Sequence, residues 1–177
     1  RLNGGPMDYT PGIFVQDLAS VTEGRNNSWV NATIANQLAL YVTLYSPLQM
    51  AADLPEHYAK FMDAFQFIKD VDIDWIQSKY LLAEPGEYVV IARQGKKNGQ
   101  WFCGGVTDDQ KRTVEVPLQF LDPEKTYEAT IYRDADDAHY KENPQAYVIE
   151  NKTVTFHDFL PVTMAPGGGF AISFEEK

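Results

Sequence analysis

From Asn26 to Ala52 the chain reads NNSWVNATIANQLALYVTLYSPLQMAA, 27 residues without one Asp, Glu, Lys, Arg or His. Ser28 is placed to cap a helix, and Ile34, Leu38, Tyr41, Val42 and Tyr45 recur at helical spacing. Ala35, Leu40, Leu44 and Leu48 fill the other side, so little of the helix surface is polar. A helix of this kind is buried all round or spans a membrane. A span needs about 20 mostly apolar residues, whereas Asn31, Asn36, Gln37, Pro47 and Gln49 interrupt this one. The stretch is therefore expected to be a buried helix. What buries it is not obvious, because the chain before it is short and the chain after about residue 75 reads as strands and turns. The 177 residues are accordingly expected to be the carboxy-terminal part of a larger enzyme, which the absence of an initiating Met at Arg1 fits.

Upstream, RLNGGPMDYTPGIF is punctuated by Gly4, Gly5, Pro6, Pro11 and Gly12, which turn the backbone twice within a short stretch. Asp8 and Tyr9 sit between those turns, where a loop would hold functional side chains. The structural alternative for Asp8 is an Asx-turn that satisfies backbone N–H groups. Val15 to Asn27 reads as a polar loop. Downstream, Asp53-Leu54-Pro55-Glu56 starts a second helix, whose stripe of Tyr58, Phe61, Met62 and Phe65 is expected to face the core. Phe67 to Asp74 is expected to leave that helix as a connector.

Near Trp75 the hydrophobic period changes from 3.6 to 2. Expected strands are Tyr88–Arg93, Trp101–Thr107, Thr113–Phe120, Tyr127–Arg133, Tyr147–Glu150, Thr153–Phe156 and Phe170–Phe174. QGKKNGQ turns the first pair into a hairpin, and Pro117 confines its strand to a sheet edge or a bulge. Regular spacing with turn signals between strands argues an antiparallel sandwich.

Few motifs of catalysis are present. His57, His139 and His157 have no zinc spacing, and no Walker loop, GxSxG or GxGxxG occurs. Gly167-Gly168-Gly169 reads as a turn, and Cys103 as a small core residue. Asp134, Asp136 and Asp137 lack the glycine and bidentate Glu of an EF-hand and read as a solvated acidic turn. A net charge of −10 disfavours nucleic acid and anionic membrane as partners and suits a neutral substrate such as a sugar.

The series GGPMDYTPGIF, NQLALYVTLYSPLQMAADLPEHY and FIKDV resembles the end of the catalytic barrel in glycoside hydrolase family 97. GEYVVIAR, WFCGGVTDD, ATIYRDADDAHYKENPQAYVI and APGGGFAI resemble that family's tail, so the likeness spans almost the whole chain. These are exo-acting bacterial α-glycosidases, retaining or inverting, mainly α-glucosidases and α-galactosidases. The resemblance implies an amino-terminal β-sandwich, a (β/α)8 barrel and a carboxy-terminal β-domain. Residues 1–74 would then be the final strand and helix portion of the barrel, and residues 75–177 the antiparallel β-sandwich domain. The helix 26–52 would pack on strands from other βα units.

The resemblance also implies an oligosaccharide substrate, calcium in the full-length enzyme and a periplasmic or secreted location. The family's catalytic carboxylates and calcium-binding glutamates would lie in the missing amino-terminal part of the same enzyme, so no catalytic residue or metal ligand is carried over. Glycoside hydrolysis needs two carboxyl groups, and this segment alone is expected to be inactive. Asp8 and Tyr9 are the candidate substrate-binding residues, on the loop above a closing barrel strand. The competing class is a non-catalytic carbohydrate-binding or interaction module, for which Trp101, Tyr127, Tyr132 and Tyr147 would be the sugar-facing aromatics. A free-standing module has no evident use for the apolar helix, which argues against it.

Overall fold

A computed structural model describes residues 9–25 and 27–177. Among the described residues four helices come first: α1 (Leu18–Val21), α2 (Ile34–Thr43), α3 (Pro55–Tyr58) and α4 (Met62–Asp70). Eight strands follow: β1 (Trp75–Glu84), β2 (Tyr88–Gly95), β3 (Trp101–Thr107), β4 (Arg112–Pro117), β5 (Thr126–Asp134), β6 (Tyr147–Thr155), β7 (Phe159–Met164) and β8 (Gly169–Glu176). The switch from helical to alternating period near Trp75 is therefore the switch from helix to strand. Six strands form one sheet in the order β1-β2-β3-β8-β5-β6, every pair antiparallel. β4 and β7 form a separate two-stranded ribbon.

Alternation along the strands makes three layers. Trp101 and Cys103 of β3, Ala129 and Ile131 of β5, and Phe170, Ile172 and Phe174 of β8 share a core with Val114, Val116, Leu160, Val162 and Met164 of the ribbon. The intervening residues Phe102, Tyr132 and Ala171 face the other way, into a core with Ile34, Leu38, Tyr41 and Val42 of α2 and Phe67 of α4. The ribbon is the thin second layer of the expected sandwich. Pro117 ends β4 opposite Phe159, in a sheet whose two strands are both edges, as a proline requires.

The apolar helix is where sequence and structure differ most. Its partner lies within this chain: α2 lies across β3 and β8, and Ile34, Ala35, Leu38, Ala39 and Val42 are fully buried there. The seat is made of residues with almost no side chain. A Cβ on Gly104 would stand 2.8 Å from the Ala39 carbonyl oxygen and 2.9 Å from Val42 Cβ. One on Gly169 would stand 3.0 Å from Asn36 Cα. Burial of the helix thus does not by itself separate a free-standing module from a fragment.

The helix is also shorter than its composition suggests. Thr33, not Ser28, is the cap, its side chain accepting the Asn36 N–H at 3.1 Å. The residues before it are spoken for elsewhere: Asp17 bridges Trp29, and Thr33 N–H donates to the Gly167 carbonyl. At the far end Arg93 Nε takes the Val42 carbonyl at 2.5 Å, and Pro47 forbids a further turn. The second expected helix is two. It breaks at Phe61 (φ −137°), which rotates α4 so that Ala64 and Phe67 are buried and Met62 is exposed. α4 continues to Asp70 where a connector was expected, and α1 lies within the loop expected between Val15 and Asn27. β1 and β7 were not expected as strands, and β6 is one strand rather than two.

Asp134 corrects the reading of a solvated acidic turn. Asp136 is exposed, but Asp134 is buried at 2% exposure. Its Oδ2 accepts the N–H groups of Ala165 and Gly169, each at 2.8 Å. Oδ1 is buried without a well-formed hydrogen bond. Burial pushes the carboxyl up to about 6, against the pull of the Thr33 hydroxyl, the two N–H donors and the Arg133 guanidinium. The three glycines 167–169 are likewise more than a turn. Gly167 adopts φ +63°, and the Gly168 carbonyl accepts the side-chain amide of Asn36 at 2.9 Å, docking the first turn of α2.

Candidate functional site

Of the two residues singled out in the sequence, Asp8 lies outside the described residues. Tyr9 is half-buried, forms a parallel bridge with Gln49 and lies beside Tyr41. The chain from Tyr9 to Val15 runs along Gln49–Ala52 without joining a sheet, so its backbone groups need other partners. Buried side chains supply them.

Gln37, on α2, directs Oε1 at two successive N–H groups, Gly12 at 2.9 Å and Ile13 at 3.1 Å. Asp53 does the same one step on, its Oδ2 accepting from Phe14 at 2.7 Å and Val15 at 2.9 Å. The Tyr58 hydroxyl donates to the Gly12 carbonyl at 2.6 Å and accepts the Asp53 N–H at 3.0 Å. The Tyr41 hydroxyl lies 2.9 Å from the Met50 carbonyl and 3.2 Å from that of Pro11. From the β-domain side, Gln145 Nε2 donates to the Phe14 carbonyl at 2.8 Å. Phe14 itself is fully buried, edge-on to Tyr58 with ring centroids 5.1 Å apart.

Gly12 is the pivot of this segment. Its φ of +94° is a conformation that L side chains rarely adopt. A Cβ there would also stand 2.5 Å from Tyr41 Oη. The segment is therefore held in one path by side chains from α2, α3 and the residues between them.

Burial and hydrogen bonding set the protonation of Asp53, Tyr41 and Tyr58. Burial raises the Asp53 carboxyl, but hydrogen bonds from His57 and from the Val15, Leu54 and Phe14 N–H groups outweigh it and hold the group below its ordinary range. His57 Nδ1 lies 2.5 Å from Asp53 Oδ1, one helical turn away. Burial raises the phenols of Tyr41 and Tyr58, so both stay protonated at neutral pH. Both oxygens of Asp53 are engaged, so it is not free to act as general acid, base or nucleophile. The cluster is built to position a loop.

Gln37, Tyr41, Asp53, His57 and Tyr58 were not expected as site residues. The Asp53–His57 spacing and a glutamine in an apolar helix were visible, but their targets are distant in sequence. The aromatics of the binding-module reading go elsewhere. Trp101, Tyr127 and Tyr132 are buried, and the half-buried Tyr147 donates to Asp63 at 2.6 Å. Cys103 is fully buried, and burial pushes its thiol up, which fits a core residue and not a nucleophile. Among the described residues no three His, Cys, Asp or Glu side chains stand together as a metal ion would need. No helix among them is long and apolar enough to cross a membrane.

Comparison with known proteins places this geometry in context. A family model described as "Glycosyl-hydrolase 97 C-terminal, oligomerisation" matches residues 74–175. A retaining alpha-galactosidase of Bacteroides thetaiotaomicron is 35% identical over 180 residues, which cover 99% of this chain and 26% of that protein. A probable retaining alpha-galactosidase of Streptomyces bingchenggensis is 32% identical over 167 residues, 94% of this chain and 23% of its own. Among solved structures, a glycoside hydrolase family 97 enzyme from Pseudoalteromonas sp. strain K8 superposes with a TM-score of 0.91 at 47% identity. The match covers 98% of this chain and 27% of that enzyme, which has also been solved in complex with panose and with acarbose. A beta-arabinopyranosidase at 20% identity and a TM-score of 0.77 shares the fold. The chain thus spans about a quarter of the length of the relatives it matches.

Proposed function

Because the chain belongs to glycoside hydrolase family 97, as the match over residues 74–175 shows, we propose that it is the carboxy-terminal segment of an exo-acting α-glycosidase. Its substrates are α-linked oligosaccharides, α-glucosides or α-galactosides. The observation that carries this is the 47% identity and TM-score of 0.91, maintained over 98% of the chain, to the enzyme solved with panose and acarbose. The 35% identity to a retaining alpha-galactosidase supports the second sugar class.

In this reading residues 1–74 close a (β/α)8 barrel and residues 75–177 form the β-domain, a division supported by the start of the family match at residue 74. The clamp on Tyr9–Val15 then serves to hold the loop that carries Asp8 and Tyr9 at the rim of the sugar site, where barrel active sites lie. The reacting carboxylates belong to the preceding part of the enzyme. Asp53, buried in the clamp, has no free oxygen for the reaction. Calcium bound by ligands in the preceding part of the enzyme belongs to the same reading. A periplasmic or secreted location and assembly through the β-domain complete the proposal, the latter supported by the family description.

The test is hydrolysis of aryl α-glucosides and aryl α-galactosides by the full-length enzyme and by the 177-residue chain. Turnover by the former alone supports the reading. Turnover by the isolated chain, or none by the full-length enzyme on either class, overturns it.

A further inference from the structure

Between the end of α2 and the β1–β2 hairpin lies a groove of about 530 Å³. Its floor is Arg93, which is buried at 7% exposure. The guanidinium is fixed by the Val42 carbonyl at 2.5 Å and the Ser78 hydroxyl at 2.6 Å, and it lies 6.0 Å from the Tyr45 ring centroid. Among the described residues it forms no ion pair with a carboxylate. A buried charge held only by neutral groups is less well compensated than one that also meets an opposite charge.

The lip of the same groove carries complementary features. Tyr80 projects at 60% exposure, the most exposed tyrosine in the groove, beside the half-buried Tyr45 and Tyr88. Glu84, also on the lip and exposed, has no ion pair among the described residues either. One patch therefore holds a knob and a hollow, and an anion and a buried cation that each lack an ion pair among the described residues. A patch that carries both halves of each match is self-complementary, as a two-fold interface must be. Tyrosine and arginine are also the residue types that dominate interface energetics.

Pairing of free strand edges is a poor alternative route to assembly here. Of the two edges of the large sheet, β1 carries Lys79 at its middle and slips register between Trp75 and Gln77 and again between Tyr80 and Leu82, and β6 carries Glu150 and Lys152 near its middle. Charges and bulges of this kind protect an edge from another strand. Contact through the side-chain face of the groove meets no such obstacle. The exposed apolar residues before Trp75, namely Trp29, Leu48, Met50, Leu54, Met62 and Ile73, belong to the region assigned above to the barrel, as do residues 43–45 on one wall of the groove.

Resting on the proposed role in assembly, we propose that this groove is the self-association surface of the β-domain. A second copy of the chain docks on it about a two-fold axis, Tyr80 of each copy entering the other's groove and Glu84 of each approaching the other's Arg93.

Sedimentation velocity over a concentration series, with the full-length enzyme, tests this. The variants are Tyr80→Ser and Glu84→Arg, with Phe159→Ser as a control on the ribbon. Phe159 is 59% exposed, so it perturbs an apolar surface residue away from the groove. The expected result is a wild-type dimer whose dissociation constant rises at least about tenfold in each groove variant and stays unchanged in the control. Circular dichroism and α-glycosidase turnover on the same samples show that the fold and the hydrolase reading stand independently. Groove variants that assemble like wild type, a control that dissociates equally, or a wild-type monomer at every concentration each overturn the proposal.

Discussion

Oδ2 of Asp134 accepts the backbone N–H of Gly169 at 2.8 Å, which ties the end of β5 to the start of β8 beneath the first turn of α2. Burial raises this carboxyl to about 6 from an ordinary 3.8. The folded state thus favours the neutral form. The associated stability is complete below about pH 4 and is lost as pH rises through about 6, a change on the order of 3 kcal/mol. Asp134→Asn should remove that dependence, because the amide keeps an acceptor for the two N–H groups without a charge. Urea unfolding of both proteins between pH 4 and 7.5 should show the variant gaining on wild type as pH rises. A difference independent of pH would contradict this assignment.

Asp53 has the opposite sign. Its carboxyl is held low by His57 and three N–H groups despite its burial. Its contribution is therefore present above about pH 4 and is lost as pH falls through its depressed folded value. Asp53→Ala leaves the Phe14 and Val15 N–H groups without their acceptor and should cost about 2–3 kcal/mol at pH 7. Chemical denaturation at pH 7 and pH 3 checks both halves, with the smaller loss expected at pH 3.

At Gly104 the nearest obstacles to a side chain are the backbone of Ala39 and the Cβ of Val42, neither of which can swing aside. Gly104→Ala should therefore cost about 1–3 kcal/mol by forcing α2 off the sheet. Gly86 offers the comparison, since a Cβ there meets nothing within 4 Å and only its φ of +88° resists. Gly86→Ala should cost about 1 kcal/mol, and thermal melts of the two variants should rank accordingly.

For the loop itself, the expectation concerns catalysis. In the full-length enzyme Asp8→Ala should lower kcat/KM at least about tenfold, or roughly 1.4 kcal/mol. The residue's neighbours are held by the clamp from Tyr41, Gln37 and Tyr58. Wild-type kinetics in that variant would remove Asp8 from the sugar site.

The strands of the central sheet were legible because their alternation is clean. Trp101–Thr107 was read to the residue, and β2, β5 and β8 to within two at each end. β1 was missed because an edge strand is wet on much of both faces and does not alternate, and β7 because Pro161 interrupts it. The apolar helix is shorter than its charge-free stretch, because an absence of charge does not measure length. Its true limits come from Thr33 and Arg93, which act through contacts the sequence does not display. Its seat was invisible for a related reason. Gly104, Gly169 and Ala171 look like weak strand residues until a helix is laid on them. The clamp was half legible. Asp53 and His57 stand one turn apart, but the N–H groups that Asp53 serves lie 38 and 39 residues away.

The order of strands in the large sheet has a consequence for biosynthesis. β8, the eighth strand to be synthesised, lies between β3 and β5, and until it inserts the sheet is two separate halves, β1-β2-β3 and β5-β6. β8 also supplies Phe170 and Ile172 to the ribbon core and Ala171 to the helix core, so neither can close before it arrives. Contacts of such long range are slow to form. On the ribosome the apolar residues of α2 will therefore have left the exit tunnel well before the surface that covers them exists. During that interval the nascent chain has an exposed greasy segment, and a holding chaperone would find its binding site in Ile34–Thr43.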